Sequence, residues 1–396
     1  MTDVIVVASS LLAGFLLLLP RIRGNTLWRA TITPLASIIG SGFLVLGPIL
    51  TSEYGGSAPL VMALLCLMAY GFGAAVRTNI ATIEASAGRS RTELRLEDAA
   101  SWALAFAYVV SVAYYLNLFG AFAVHLTPFD SAFNAKLLTS VMLVLILVVG
   151  WRYGFEALER MESVSVSLKL AIIAGLLAGL GLFFFGLWHA GALYDNPAPT
   201  AQWRSVALAF GLIVTVQGFE TSRYLGKSYD AKTRIASMRL AQWISTAIYL
   251  VYIALLTVGF PASETHLTET AIIDMMAVVA PILPAMLVLA ALAAQFSAAI
   301  ADTGGSGGLV FELTGGRLTQ RQAYAALCLA GLVITWTSGV FDIIAYASRA
   351  FAFYYALQSA IAAIAMRRAG ARGRAVFFLF LALLGLAIVL FGVSAE

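Results

Sequence analysis

Apolar runs of bilayer-spanning length recur along the whole chain, separated by short polar loops. They predict helices at about 3–19, 30–50, 58–76, 100–124, 137–154, 163–187, 203–226, 236–260, 276–302, 321–338, 341–366 and 374–393. One crossing takes about 20 apolar residues, so these runs read as twelve transmembrane helices. The first run lacks a basic start. Pro20-Arg21-Ile22-Arg23 follows it where a secretory leader would carry small residues, so it reads as a retained span.

Composition agrees. Of 396 residues 61% are hydrophobic and 11% charged, against about 45–50% and about 25% in soluble domains. Basic residues alternate between loops. Arg21, Arg23 and Arg29 share one face with Arg77, Arg89, Arg91, Arg95, Arg152, Arg160, Lys169, Arg223, Lys227, Lys232, Arg234 and Arg239. Arg317, Arg321, Arg367, Arg368, Arg372 and Arg374 complete 21 of the 24. Lys136 and Arg204 fall on the other face and Arg349 inside a span. The positive-inside rule makes the basic face cytoplasmic, with both termini on the outer, periplasmic side of a cell inner membrane.

Several function classes drop out. The net charge of +4 comes from dispersed loop residues, which is no nucleic-acid signature. There is no Walker motif and no long soluble insert, so no nucleotide cofactor is expected. His125, His189 and His266 fall in different outer loops and make no metal or catalytic cluster. Cys66 and Cys328 sit far apart in apolar runs and read as packing thiols.

Two spans are interrupted. The second contains Ile39-Gly40-Ser41-Gly42, costly in a helix at about 1 kcal/mol per glycine relative to alanine. Small residues there serve either close helix packing or an unwound stretch whose free amides and carbonyls line a cavity. The seventh contains Gln217-Gly218-Phe219-Glu220, with a carboxylate that would be expensive facing lipid. Interruptions at corresponding places five helices apart point to an inverted-repeat carrier.

These segments resemble a known family. Ile39-Gly40-Ser41-Gly42-Phe43 is similar to the IGSGIF-type signature of the amino acid–polyamine–organocation (APC) superfamily. Gly218-Phe219-Glu220 resembles its GFE, and Ser167-Leu168-Lys169-Leu170 the lysine-containing start of its fifth core helix. The resemblance implies an all-α polytopic protein with a five-plus-five inverted-repeat (LeuT-type) core. That core takes residues 28–368, with repeats at about 28–190 and 200–368. One extra N-terminal helix (1–27) and one extra C-terminal helix (369–396) flank it. Gly226-Lys227-Ser228-Tyr229 and Gly305-Ser306-Gly307 depart from the family pattern.

Candidate site residues follow. Free amides at Ile39, Gly40, Ser41 and Gly42 suit a carboxylate at a half-helix N-terminus. Carbonyls near Val216, Gln217 and Gly218, with Glu220, suit an ammonium. Phe219 either closes over the solute, as the resemblance implies, or packs in the core. Tyr114 and Tyr115 of the fourth span are candidate hydroxyl donors. Lys169 reads as an interfacial lysine on its own. The resemblance instead puts its ammonium where sodium-coupled relatives hold a sodium ion, near carbonyls at Gly40 and the Ser297 hydroxyl. Asp302, at the end of the ninth span, and Arg349 read either as a mutual ion pair or as a proton relay and an anion holder.

The expectation is a secondary active transporter of amino acids or related organic amines, proton-coupled or exchanging, in a lipid bilayer. Its alternatives are a sodium-coupled symporter of an organic acid or other small solute, and a polytopic membrane enzyme or sensor.

Overall fold

The computed structural model describes residues 2–40, 42–84, 88–153, 162–200, 202–262 and 267–395. The described residues are helical with no strand. Helix α1 is Thr2–Leu18 and the short α2 Pro20–Arg23. The second predicted span is two helices, α3 (Thr26–Ile38) and α4 (Gly42–Tyr54). Then come α5 (Ala58–Glu84), α6 (Arg91–His125), α7 (Ala132–Tyr153) and α8 (Glu162–His189). The seventh predicted span is α9 (Trp203–Gly211) followed by two 3₁₀ segments, Ile213–Val216 and Phe219–Lys227. Helices α10 (Ala231–Gly259), α11 (Ala271–Val279) and α12 (Leu283–Leu313) follow. Helices α13 (Gln320–Thr337), α14 (Val340–Arg368) and α15 (Arg372–Phe391) close the chain.

Eight runs among the described residues are long and apolar enough to cross a bilayer. The 17-residue α1, α13 and the two broken segments complete the twelve. The fold is an all-α polytopic membrane bundle. Leu11, Phe106, Leu329 and Leu390 are each more than 60% exposed and cover a lipid-facing surface. The inner face of α6 is lined instead by buried Ser111, Tyr114, Tyr115 and Asn117.

Packing sets which helices reach the centre. Helix α6 lies between α12 and α14, while α10 packs across α3 and α5. Helix α1 sits on α8 and α15 on α14, so the two end helices flank the bundle.

The ninth span differs from its predicted 276–302. It begins at Leu283, because Ala280 is extended and Pro284 occupies the helix's first turn, where its missing N–H costs nothing. It also runs eleven residues past Asp302, through Gly304, Gly305, Gly307 and Gly308. Gly305 and Gly307 are contacts for neighbouring rings, not a stop. A Cβ on Gly305 would lie 3.0 Å from the Tyr108 ring, and one on Gly307 would overlap the ring of Tyr324. Gly308 faces open space.

Gly307→Ala should therefore lower stability by about 1–3 kcal/mol through overpacking, against its helix propensity. Gly308→Ala should be neutral or stabilising. Thermal unfolding of the purified variants decides it; equal melting temperatures would contradict the packing role.

Candidate functional site

Both breaks follow from local sequence. Pro34 removes one N–H from α3 and disturbs the turn before it. Ile39 then leaves helical geometry at φ −83°, ψ 58°, and the helix restarts at Gly42. Ser41, a predicted contact, lies outside the described residues. In the other segment Gln217 is extended and Gly218 has φ +114°, a region that disfavours any residue with a Cβ. The 3₁₀ segment from Phe219 is a tighter winding with poorer hydrogen-bond geometry than an α-helix.

The two breaks touch each other. A Cβ on Gly218 would lie 2.6 Å from Cβ of Ser37, and one on Gly42 would lie 2.9 Å from Cα of Thr215. The hydroxyl of Tyr249, on α10, sits 3.0 Å from the Ile38 carbonyl oxygen and 2.6 Å from that of Thr215. One phenol thus shares its proton between carbonyls of both broken segments. Tyr114 joins them from α6, its hydroxyl 3.0 Å from the position of a Gly42 Cβ.

Polar side chains gather round the junction. Glu220 is buried and accepts the Gly218 N–H at 3.0 Å and the Tyr355 hydroxyl at 2.7 Å. Gln217 lies between Tyr115, at 3.5 Å, and Tyr355, at 3.4 Å. Phe219 is fully buried and stacks on Tyr355 with ring centroids 5.1 Å apart. In this conformation it is a packing residue. Gln295 on α12 is fully buried with neither amide atom hydrogen-bonded among the described residues.

Below the junction lies a cavity of about 40 Å³ lined by Thr33, Ser37, Lys169, Thr221, Ser297 and Asp302, among others. Such a volume holds a water or two. The Lys169 ammonium, buried at 6% exposure, donates to the Ala36 carbonyl at 2.7 Å. Asp302 accepts a hydrogen bond from Ser111 of α6. A second cavity of about 20 Å³ places Lys169 beside Gly40 and Phe43. Desolvated charges of opposite sign and a row of hydroxyls at membrane depth can bind and release a proton or an ammonium.

Ion pairs tie the elements of the arginine-rich face together. Glu97 of α6 pairs with Arg89 at 3.0 Å and with Arg223 of the second broken segment. Arg223 also meets Gln358 of α14, which accepts from Asn79 of α5 at 2.7 Å. Arg234 holds Glu84 at 2.7 Å, and Arg368 holds Glu93 at 3.3 Å. At the opposite face Asn196 donates to the Phe260 carbonyl at 2.8 Å, and His125 lies 3.2 Å from both Asp130 and Asp274.

A model of a family described as APC superfamily transporter matches residues 20–392. The chain belongs to that family. An uncharacterized protein of Aquifex aeolicus (strain VF5) is 38% identical over 403 residues, covering 100% of this chain and 98% of that protein. A transporter role and a multi-pass membrane setting follow from the family and the apolar helices together.

The transporter corrects two expectations. Asp302 stands well inside α12, not at a span end, because the glycines beyond it continue the helix. Nor does it pair with Arg349. The Arg349 guanidinium donates to the Gly392 carbonyl at 3.0 Å, satisfying the end of α15. Ser111, Tyr249, Tyr355 and the Glu97–Arg223 pair were missed: each is a polar residue with no local signature, placed by tertiary contacts 126 to 211 residues apart in sequence.

Tyr249→Phe keeps the ring and removes the shared proton, leaving two buried carbonyls with one partner fewer. The expected loss of stability is about 1–3 kcal/mol, read as a lower melting temperature of the detergent-purified protein. An unchanged melting temperature would show that the breaks do not depend on this bridge.

Proposed function

We propose that the protein moves amino acids or related organic amines across the bilayer by alternating access, with proton coupling or exchange. The observation that carries this reading is the Lys169 ammonium donating to Ala36, in the first broken segment, from a cavity shared with Asp302 and Ser297. A fixed cation there does the work an inorganic cation would otherwise do, tying α3 to α8. Lysine can surrender its proton where arginine cannot. Loss of that proton removes the charge-assisted bond to Ala36 and the attraction to Asp302, and so loosens α3 from its neighbours.

The solute's place is the junction of the breaks. The half-helix α4 begins at Gly42, and a half-helix N-terminus favours a carboxylate. The Ile39 amide is already taken by the Leu35 carbonyl in the last turn of α3. The segment around Gln217 and Gly218, with Glu220 behind it, favours an ammonium. Tyr114 borders the same point, and Phe219 lies one residue from it. In this reading residues 28–368 are the transport core, the arginine-rich face is cytoplasmic and both termini face outward.

Lys169→Ala should abolish uptake into proteoliposomes while leaving a monodisperse folded protein, and uptake by the unaltered protein should need no sodium. A thermal-shift panel of amino acids, amines and organic acids, with and without sodium, selects the substrate to use. Undiminished uptake by the variant, or a strict sodium requirement, would reject the coupling role. Stabilisation by an organic acid alone would reject the amine.

A further inference from the structure

Helix α1 is held most closely over its first half. Asp3 Oδ1 accepts the Ile282 N–H at 3.2 Å. A Cβ on Gly175 of α8 would overlap Ser10, and one on Gly179 would lie 2.9 Å from Val6. Beyond Ser10 the outer face of the helix is open, with Leu11 69% exposed, Phe15 64% and Leu18 59%. Its inner face stays close to α8, where a Cβ on Gly14 would lie 3.5 Å from that of Ala171. A groove of about 750 Å³ runs between this second half and α3, lined by Leu11 and Phe15 on one side and Trp28 and Ile32 on the other. Ala171 and Met286 line it as well.

The groove's dimensions and charge select an occupant. Its α1 wall runs from Val7 to Leu18, about 16 Å at 1.5 Å per residue, which is roughly one leaflet of a hydrocarbon core about 30 Å thick. Arg23 and Trp28 line the groove too, and arginine and tryptophan are the side chains that suit a headgroup region. Arg21, Arg23 and Arg29 are exposed, and the chain has no acidic residue between Asp3 and Glu53 to offset them. Apolar depth ending in guanidinium groups that pair with no carboxylate among the described residues matches one amphiphile with an anionic head.

We propose that this groove binds an anionic glycerophospholipid of the arginine-side leaflet, its phosphate on Arg23 and an acyl chain between α1 and α3. The site lies outside the solute junction yet adjoins it. Ile32 precedes Thr33, and Leu168 in the groove wall precedes Lys169, both of the central cavity. A bound chain braces the first broken helix from its lipid side.

Native mass spectrometry of the full-length protein, titrated with phosphatidylglycerol or phosphatidylcholine of identical chains, tests this without any transport assay. Phosphatidylglycerol should be retained in preference. Arg23→Gln should weaken that retention about fivefold, since one basic residue is worth about 1 kcal/mol to an anionic lipid. Leu11→Trp, which fills the groove, should weaken it too. Arg372→Gln, which removes an exposed charge from the opposite end of the chain, should leave it unchanged. Equal retention of the two lipids, or of phosphatidylglycerol by wild type and Arg23→Gln, would overturn the proposal. Gel filtration confirms that each variant is folded.

Discussion

A backbone group without a hydrogen bond is tolerable in water and ruinous in hydrocarbon. The breaks at residues 39–40 and 212–218 interrupt the regular helical ladder at membrane depth, so the rest of the bundle has to supply their backbone groups with partners. It does so by setting one break against the other. Gly218 admits Ser37, Gly42 admits Thr215, and Tyr249 satisfies carbonyls from both segments. Neither interruption could sit in lipid alone. Pressed together, they form a small polar interior to which both broken segments contribute.

The buried charges follow from that arrangement. Glu220, Lys169 and Asp302 would each cost several kcal/mol in a low-dielectric interior if left alone. Each has a named partner: Tyr355 and the Gly218 amide, the Ala36 carbonyl, and Ser111. The partners come from four different elements, so moving any one of them changes the charge balance at the centre. The Glu97–Arg223 pair extends this coupling to the arginine-rich face, because Arg223 lies on the same 3₁₀ segment as Glu220. One segment thus carries a contact of the arginine-rich face and a contact of the central junction.

The spans were readable because lipid imposes one rule on every helix, and twenty apolar residues make a loud signal. The breaks were readable because Gly-Ser-Gly and Gly-Phe-Glu contradict that signal in mid-span. Lys169 was readable as a charge near an end, and by resemblance as a contact of the first broken helix. What could not be read was the set of helix-to-helix contacts. The glycine run after Asp302 looks like a terminator in one dimension, yet it is a surface cut to fit Tyr108 and Tyr324 in three. Asp302 and Arg349 looked like mates because both were deep and opposite in sign. Each instead found a nearer hydrogen-bonding group. Ser111, Tyr249 and Tyr355 are ordinary residues of apolar helices until the fold aims them.

The account stands on the two breaks forming one solute site. Hydrogen–deuterium exchange of the reconstituted protein, with and without the amine or amino acid that most raises its melting temperature, tests this directly. Binding should slow exchange of the amides at 39–44 and 216–221 together, with the same concentration dependence. Protection confined to one break, or lying wholly outside both, would contradict it.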